Sequence, residues 1–134
     1  MNRQTSAIRA VVIGGSGFVG SHVADQLSEE GHSVCIYDQV ESPWRQHDQD
    51  MIVADLSDES SLVEAIDGSD VVYNFAAMAD LDEAMSRPKE TAEVNVLGNV
   101  KVLDCCRRHD VQRFVFASTV YVNSREGSFY RCSK

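Results

Sequence analysis

The sequence predicts an α/β fold, a doubly wound parallel sheet with helices on both faces. Three observations predict it. Short runs rich in β-branched residues alternate with longer amphipathic stretches. A glycine-rich segment joins the first such run to the first helical stretch. The second run ends in an acidic residue.

The elements follow in order. "RAVVIGG" (9–15) is an apolar run closed by glycine, the pattern of a strand buried on both faces. "FVGSHVADQLSEE" (18–30) sets Phe18, Val19, Val23 and Leu27 near helical spacing, and Gly31 supplies a stop. "SVCIYD" (33–38) and "MIVADL" (51–56) read as the second and third strands. The polar, proline-interrupted stretch between them, "QVESPWRQHDQD", reads as a loop. Ser57 is placed to cap a short helix with Asp58 and Glu59 in its first turn, Leu62, Val63 and Ile66 as its buried stripe, and Gly68 at its end. "DVVYNFAA" (70–77) is a fourth strand. A long helix is predicted from Pro88, suited to a first-turn position, to about His109, and "RFVFAS" (113–118) is a fifth strand. Residues 1–7 read as a tail and 8–134 as one domain.

Composition narrows the class of partner. The chain is 134 residues long and 43% hydrophobic, enough for a sizeable core. Its net charge of −9 repels phosphate backbones, which argues against a nucleic-acid partner. The one short basic cluster, Arg107-Arg108-His109, falls at a predicted helix end, where the dipole favours cations. No run approaches the ~18 apolar residues of a membrane span. Cys35, Cys105, Cys106 and Cys132 lack metal-like spacing, so no metal site is expected. They read as free buried thiols, consistent with a reducing, cytoplasmic setting.

Within "VVIGGSGFVGSHVADQL", Gly14, Gly17 and Gly20 form G-x-x-G-x-x-G between a strand and a helix. Such glycines allow a tight turn, close approach of main-chain N–H groups to a pyrophosphate, and close helix–strand packing. The helix N-terminus, beginning with Phe18 and Val19, then faces the anion. Asp38 ends the second strand 18 residues after Gly20, suited to bonding the hydroxyls of an adenosine ribose. A carboxylate there repels a 2′-phosphate, which favours NAD over NADP.

The G-x-x-G-x-x-G spacing resembles the short-chain dehydrogenase/reductase superfamily, and later segments resemble its extended, epimerase/dehydratase branch. "ADLSD" (54–58) is similar to D-[LI]-x-D, in which the residues matching Asp55 and Leu56 border the adenine. "NFAAMAD" (74–80) resembles the H-x-A-[AG] turn that runs under the cofactor, which adds Phe75, Ala76 and Ala77. "EVNVLGNVKVLDCCRRHDVQRFVFAST" (93–119) resembles the following helix and fifth strand, with Asn95 at a structural asparagine position and Gly98 where the helix approaches a neighbour. The resemblance implies a Rossmann-like sheet of five strands in the order 3-2-1-4-5. It also implies that the chain is an N-terminal portion, without the C-terminal strands and substrate domain.

Tyr130 and Lys134 match the superfamily's Y-x-x-x-K, and i and i+4 share one face of a helix. The third member, a serine or threonine beyond the fifth strand, is matched by Thr119, with Ser118 as the alternative; Tyr121 lacks a lysine four residues on. By this resemblance Tyr130 takes a hydroxyl proton, Lys134 stabilises the phenolate and bonds the nicotinamide ribose, and Thr119 holds the substrate oxygen. The implied activity is an NAD-dependent epimerase or dehydratase of a nucleotide sugar, similar to UDP-glucose 4-epimerase, with a homodimeric parent. Two departures bear on the substrate: Val122-Asn123-Ser124 replaces the usual V-Y-G, and Thr119 and Tyr130 are only 11 positions apart. Two alternatives stay open: a non-catalytic NAD-binding sensor or scaffold, and an NAD-dependent ketone or hydroxysteroid reductase of the same branch.

Overall fold

The computed structural model describes residues 6–134; residues 1–5, most of the predicted tail, lie outside the described residues. The first elements are β1 (Arg9–Ile13), α1 (Phe18–Glu29), β2 (Ser33–Asp38), β3 (Asp50–Val53), α2 (Glu59–Ile66) and β4 (Val71–Asn74). They are followed by α3 (Leu81–Ser86), α4 (Pro88–Ala92), a π-helical segment (Glu93–Gly98), α5 (Asn99–Arg108), β5 (Arg113–Phe116), a 3-10 turn (Val120–Asn123) and α6 (Ser128–Ser133). All five strands are parallel, in the order β3-β2-β1-β4-β5. This is the predicted Rossmann-like order. The chain winds outward from β1 through β2 to β3, then crosses back to β4 and β5. The loops after β1 and β4 therefore diverge, opening a crevice at the carboxyl ends of the strands.

Period-two geometry explains the apolar run of β1. Val11 and Ile13 point to one face, against Tyr37, Leu62, Val72 and Val102. Ala10 and Val12 point to the other, against Ala24, Leu27 and Ile36. Both faces are covered, so every residue from Ala10 to Ile13 is buried.

Four expectations are corrected. The N-cap of α2 is Asp58, whose Oδ1 accepts from Ser61 N at 3.1 Å; Ser57 lies one residue earlier. The helix from Pro88 contains a π-helical turn where an unbroken α-helix was expected. The third, fourth and fifth strands end two or three residues early, because their last residues curl into the crevice loops. Cys35, Cys105 and Cys106 are free and buried, but Cys132 is exposed. Arg107 and Arg108 do close α5, where they pair with Asp104, and Arg108 also with Glu59.

Core packing has a consequence at alkaline pH. Burial, with Asp58 and then Asp55 adding to it, pushes the Tyr37 phenol up to about 12. Burial pushes the Cys35 and Cys106 thiols up to about 11. The folded chain thus holds these protons more tightly than the unfolded chain. Their contribution is complete below the unfolded values and is lost as pH rises through the folded ones. Urea midpoints should therefore be flat near neutrality and fall between about pH 9 and 12. Tyr37→Phe should remove the part of that fall attributable to the phenol, on the order of 2 kcal/mol. A midpoint unchanged up to pH 11 would contradict this.

Candidate functional site

The glycine loop is built by close main-chain contacts. Gly14 N donates to Tyr37 O at 2.8 Å, and Gly17 N to Gly14 O at 3.2 Å. Gly14 sits at φ +77°, and a Cβ on it would lie 2.6 Å from Ala76 N. The loops after β1 and β4 thus touch at their bases, at Gly14 and Phe75–Ala76. A Cβ on Gly20 would lie 2.2 Å from Gly14 O, so α1 packs immediately behind the loop.

In front of the loop a cleft of about 880 Å³ opens at the crevice. Gly14, Gly17, Asp38, Asp55, Leu56, Phe75, Ala76 and Ala77 all line it. Eight positions from four separate segments converge on one cavity. Three others do not line it. Gly20 is buried behind the loop, and Phe18 and Val19 stand exposed at the start of α1.

Asp38 faces the loop directly: its Oδ2 accepts from Ser16 N at 3.0 Å and its Oδ1 from Val40 N at 3.3 Å. Ser16 Oγ donates to Val40 O at 2.7 Å, which locks the loop to the end of β2. Asp55 accepts from Ser57 N at 2.7 Å, and Tyr37 Oη donates to its carbonyl at 2.7 Å. Hydrogen bonds from Ser57, side chain first and main chain second, hold the Asp55 carboxyl below its ordinary value. A Cβ on Gly98 would lie 2.9 Å from Leu56 Cδ1, the close helix approach expected there.

The opposite wall was not foreseen. Glu83, Arg87, Glu90 and Glu93 line the cleft from α3, α4 and the π-helical segment, together with Met78. Arg87 pairs with both Glu83 and Glu90. A signal for α3 was present in the sequence: Asp80 precedes Glu83 by three residues, and Asp80 Oδ1 accepts from Glu83 N at 2.8 Å. Six residues are too few to show helical periodicity. Asn95 is buried in the structural position expected of it. It accepts from Met78 N (2.8 Å) and donates to Met78 O (3.1 Å) and Ser133 Oγ (2.8 Å). One amide thereby ties the cleft wall to α6.

Thr119, Tyr130 and Lys134 are not among the residues lining the cleft. Tyr130 is buried on α6, its ring edge-on to Tyr121. Burial, and secondarily Tyr121, raises its phenol above the ordinary value, the reverse of the expected lowering. The Lys134 ammonium does not offset this; its Nζ stands 4.5 Å from the centroid of the Phe116 ring. Burial lowers the Lys134 ammonium below its ordinary value. Thr119 Oγ1 accepts from Tyr121 N at 3.4 Å, and Ser118 Oγ donates to Lys134 O at 3.4 Å.

A parallel sheet whose strand order reverses between β1 and β4, with a glycine turn and an acidic strand end at the reversal, defines a dinucleotide-binding α/β protein. The cradle fits such a cofactor, since the N-terminus of α1 opens at a glycine turn where no side chain of Gly14 or Gly17 blocks close approach. The sequence profile of the NAD-dependent epimerase/dehydratase family matches residues 10–129, and the chain belongs to that family. It is 35% identical over 115 residues to a UDP-glucose 4-epimerase of Corynebacterium glutamicum, covering 84% of this chain and 35% of that protein. It is 32% identical over 121 residues to a 3-beta-hydroxysteroid dehydrogenase of Mycolicibacterium neoaurum, covering 87% of this chain and 33% of that one. The structure of UDP-glucose 4-epimerase from Brucella ovis in complex with NAD superposes with a TM-score of 0.84 at 30% identity, over 95% of this chain and 44% of that one. The chain thus spans about a third of the length of these two sequence relatives. The cofactor of the family is NAD. Among the described residues no helix is long and apolar enough to cross a membrane.

Proposed function

We propose that residues 8–134 are the cofactor-binding part of an NAD-dependent epimerase or dehydratase that acts on a nucleotide sugar, working in the cytoplasm. The observation that carries this reading is the convergence of the glycine loop, Asp38, Asp55–Leu56 and Phe75–Ala77 on one cleft. Gly14 and Gly17 shape the turn that sets the N-terminus of α1 against the pyrophosphate, Asp38 bonds the adenosine ribose, and Asp55 and Leu56 border the adenine.

NAD supplies the hydride acceptor at the sugar carbon. The remaining work belongs to the protein. Thr119 holds the substrate hydroxyl, and Tyr130 takes its proton. Burial keeps Tyr130 protonated in the present arrangement, so ionisation requires the Lys134 ammonium to leave Phe116 and stand near the phenol. Lowering the phenol by about three units takes ~4 kcal/mol of preferential stabilisation of the phenolate. A close ammonium in a partly desolvated site is of the right size to provide it. Lys134 also bonds the nicotinamide ribose.

The exposed side chains of Val96, Leu97, Val100 and Leu103 form an apolar stripe on one long helix, which favours a homodimer of the full-length parent.

Calorimetry with NAD tests the core of this reading. Asp38→Asn keeps the shape but removes the charge that favours the ribose hydroxyls, so affinity for NAD should fall by about 10- to 100-fold. No heat from NAD with the folded wild type would sink the proposal. A second reading draws on the hydroxysteroid dehydrogenase relative: net oxidation of a hydroxysteroid. Absorbance of reduced NAD separates the two. A dehydrogenase accumulates it with a hydroxysteroid, whereas an epimerase given UDP-glucose forms product while returning the hydride.

A further inference from the structure

Between Thr119 and Tyr130 lies a residue that has no role in the proposed proton transfer but contacts both. Tyr121 lies in the 3-10 turn that follows Thr119. Its main-chain N–H donates to Thr119 Oγ1 at 3.4 Å. Its ring meets that of Tyr130 edge-on, with centroids 6.4 Å apart and planes at 80°.

The segment around it is organised to hold that ring. Ser124 donates to Tyr121 O from both its main-chain nitrogen, at 3.1 Å, and its hydroxyl, at 3.2 Å. Arg131 of α6 reaches back to Ser124 O at 2.7 Å. Gly127, at φ +88°, lies flat against the ring from another side: a Cβ there would be 2.6 Å from Tyr121 Cβ and 2.7 Å from its Cγ. Only ten residues connect Thr119 to Tyr130, so little slack remains to set their separation in another way.

We propose that Tyr121 is a positioning residue, which fixes Tyr130 relative to Thr119 by bonding one through its main chain and packing on the other through its ring. The inference rests on the reading of Tyr130 as the proton acceptor. It assigns Tyr121 no contact with the reacting atoms. In a short connection, a wedged aromatic ring takes over the spacing that a longer loop would otherwise set.

The test is made on the protein as its gene encodes it, with tyrosines carrying a carbon-13 label at Cζ, and follows Tyr130 as pH is raised. Turnover of UDP-glucose is measured alongside. In Tyr121→Ala, the Tyr130 titration should shift downward toward the ordinary tyrosine value as water reaches the phenol. Its kcat should fall by about 10- to 100-fold, with KM changed by no more than about twofold. Tyr121→Phe keeps the ring and should rescue both. Gly127→Ala reaches the same end with Tyr121 intact, since the added methyl displaces the ring. Where Tyr121→Ala does not fold, Tyr121→Leu and Gly127→Ala carry the test.

An unchanged Tyr130 titration in the folded variants would overturn the proposal. So would a Tyr121→Phe variant as impaired as Tyr121→Ala, because the hydroxyl and not the ring would then be responsible. Failure of the underlying assignment looks different: Tyr130→Phe would retain turnover while the titration of Tyr130 still responded to Tyr121.

Discussion

Tyr130→Phe is expected to lower turnover by about 10²–10⁴-fold, the usual contribution of a positioned proton acceptor. Its NAD affinity should change by less than about tenfold, since the glycine loop and Asp38 are untouched. The wild type should show turnover rising with pH as the phenol loses its proton. Burial raises Tyr130 in the present arrangement, so that limb lies higher in pH the less Lys134 compensates. Phenylalanine should abolish the limb along with the rate. Stopped substrate conversion with calorimetric NAD binding intact is the expected pair of results. Undiminished conversion would remove Tyr130 from the mechanism.

Gly14→Ala is expected to be strongly destabilising. Two costs combine. The position is left-handed, at φ +77°, where a side chain costs roughly 1–2 kcal/mol. The methyl would also press against the main chain at Ala76, and such overpacking costs about 1–3 kcal/mol. Main-chain atoms cannot swing aside as a side-chain tip can, so the total should approach roughly 4 kcal/mol. Gly31→Ala is the control, because Gly31 shares the left-handed conformation, at φ +83°, with nothing within 4 Å. It should lose only the conformational part. Urea midpoints of the two variants measure the difference, and NAD binding should be lost in Gly14→Ala alone. Equal midpoints would show that the contact at Ala76 relaxes freely.

How much of this was legible in the sequence depended on how local the cause was. The strands of the sheet are local apolar runs with glycine or polar punctuation, and all five were readable. So was Asp38, because its position follows from one strand-helix-strand unit counted forward from Gly20. The Asp58 cap was misplaced by one residue, since serine and aspartate side by side both suit an N-cap and only the turn at Asp55 decides between them. Helix α3 was missed because one and a half turns carry too little periodicity to register. The π-helical turn escaped for a different reason. Its inward residues, Asn95 and Gly98, are selected by Met78, Ser133 and Leu56, none of which is near in sequence.

The proposed catalytic trio shows the same division. The Y-x-x-x-K spacing names the residues, but the surroundings of each side chain come from elsewhere in the fold. Tyr130 is buried against Tyr121, and Lys134 stands over Phe116 from β5, so the charge relation between them is set by neighbours the motif does not contain.

The order of residues along this chain determined by itself the strand–helix alternation, the glycine turn and the acidic strand end, and with them the class of cofactor. Those features arise from short-range sterics and hydrogen bonding, which a local stretch of chain encodes in full. Only the tertiary structure decided which side chains form the second wall of the cleft, how Asn95 links that wall to α6, and whether Tyr130 feels a cation. These depend on distances between segments far apart in sequence, and dielectric and packing effects act through space, not along the chain.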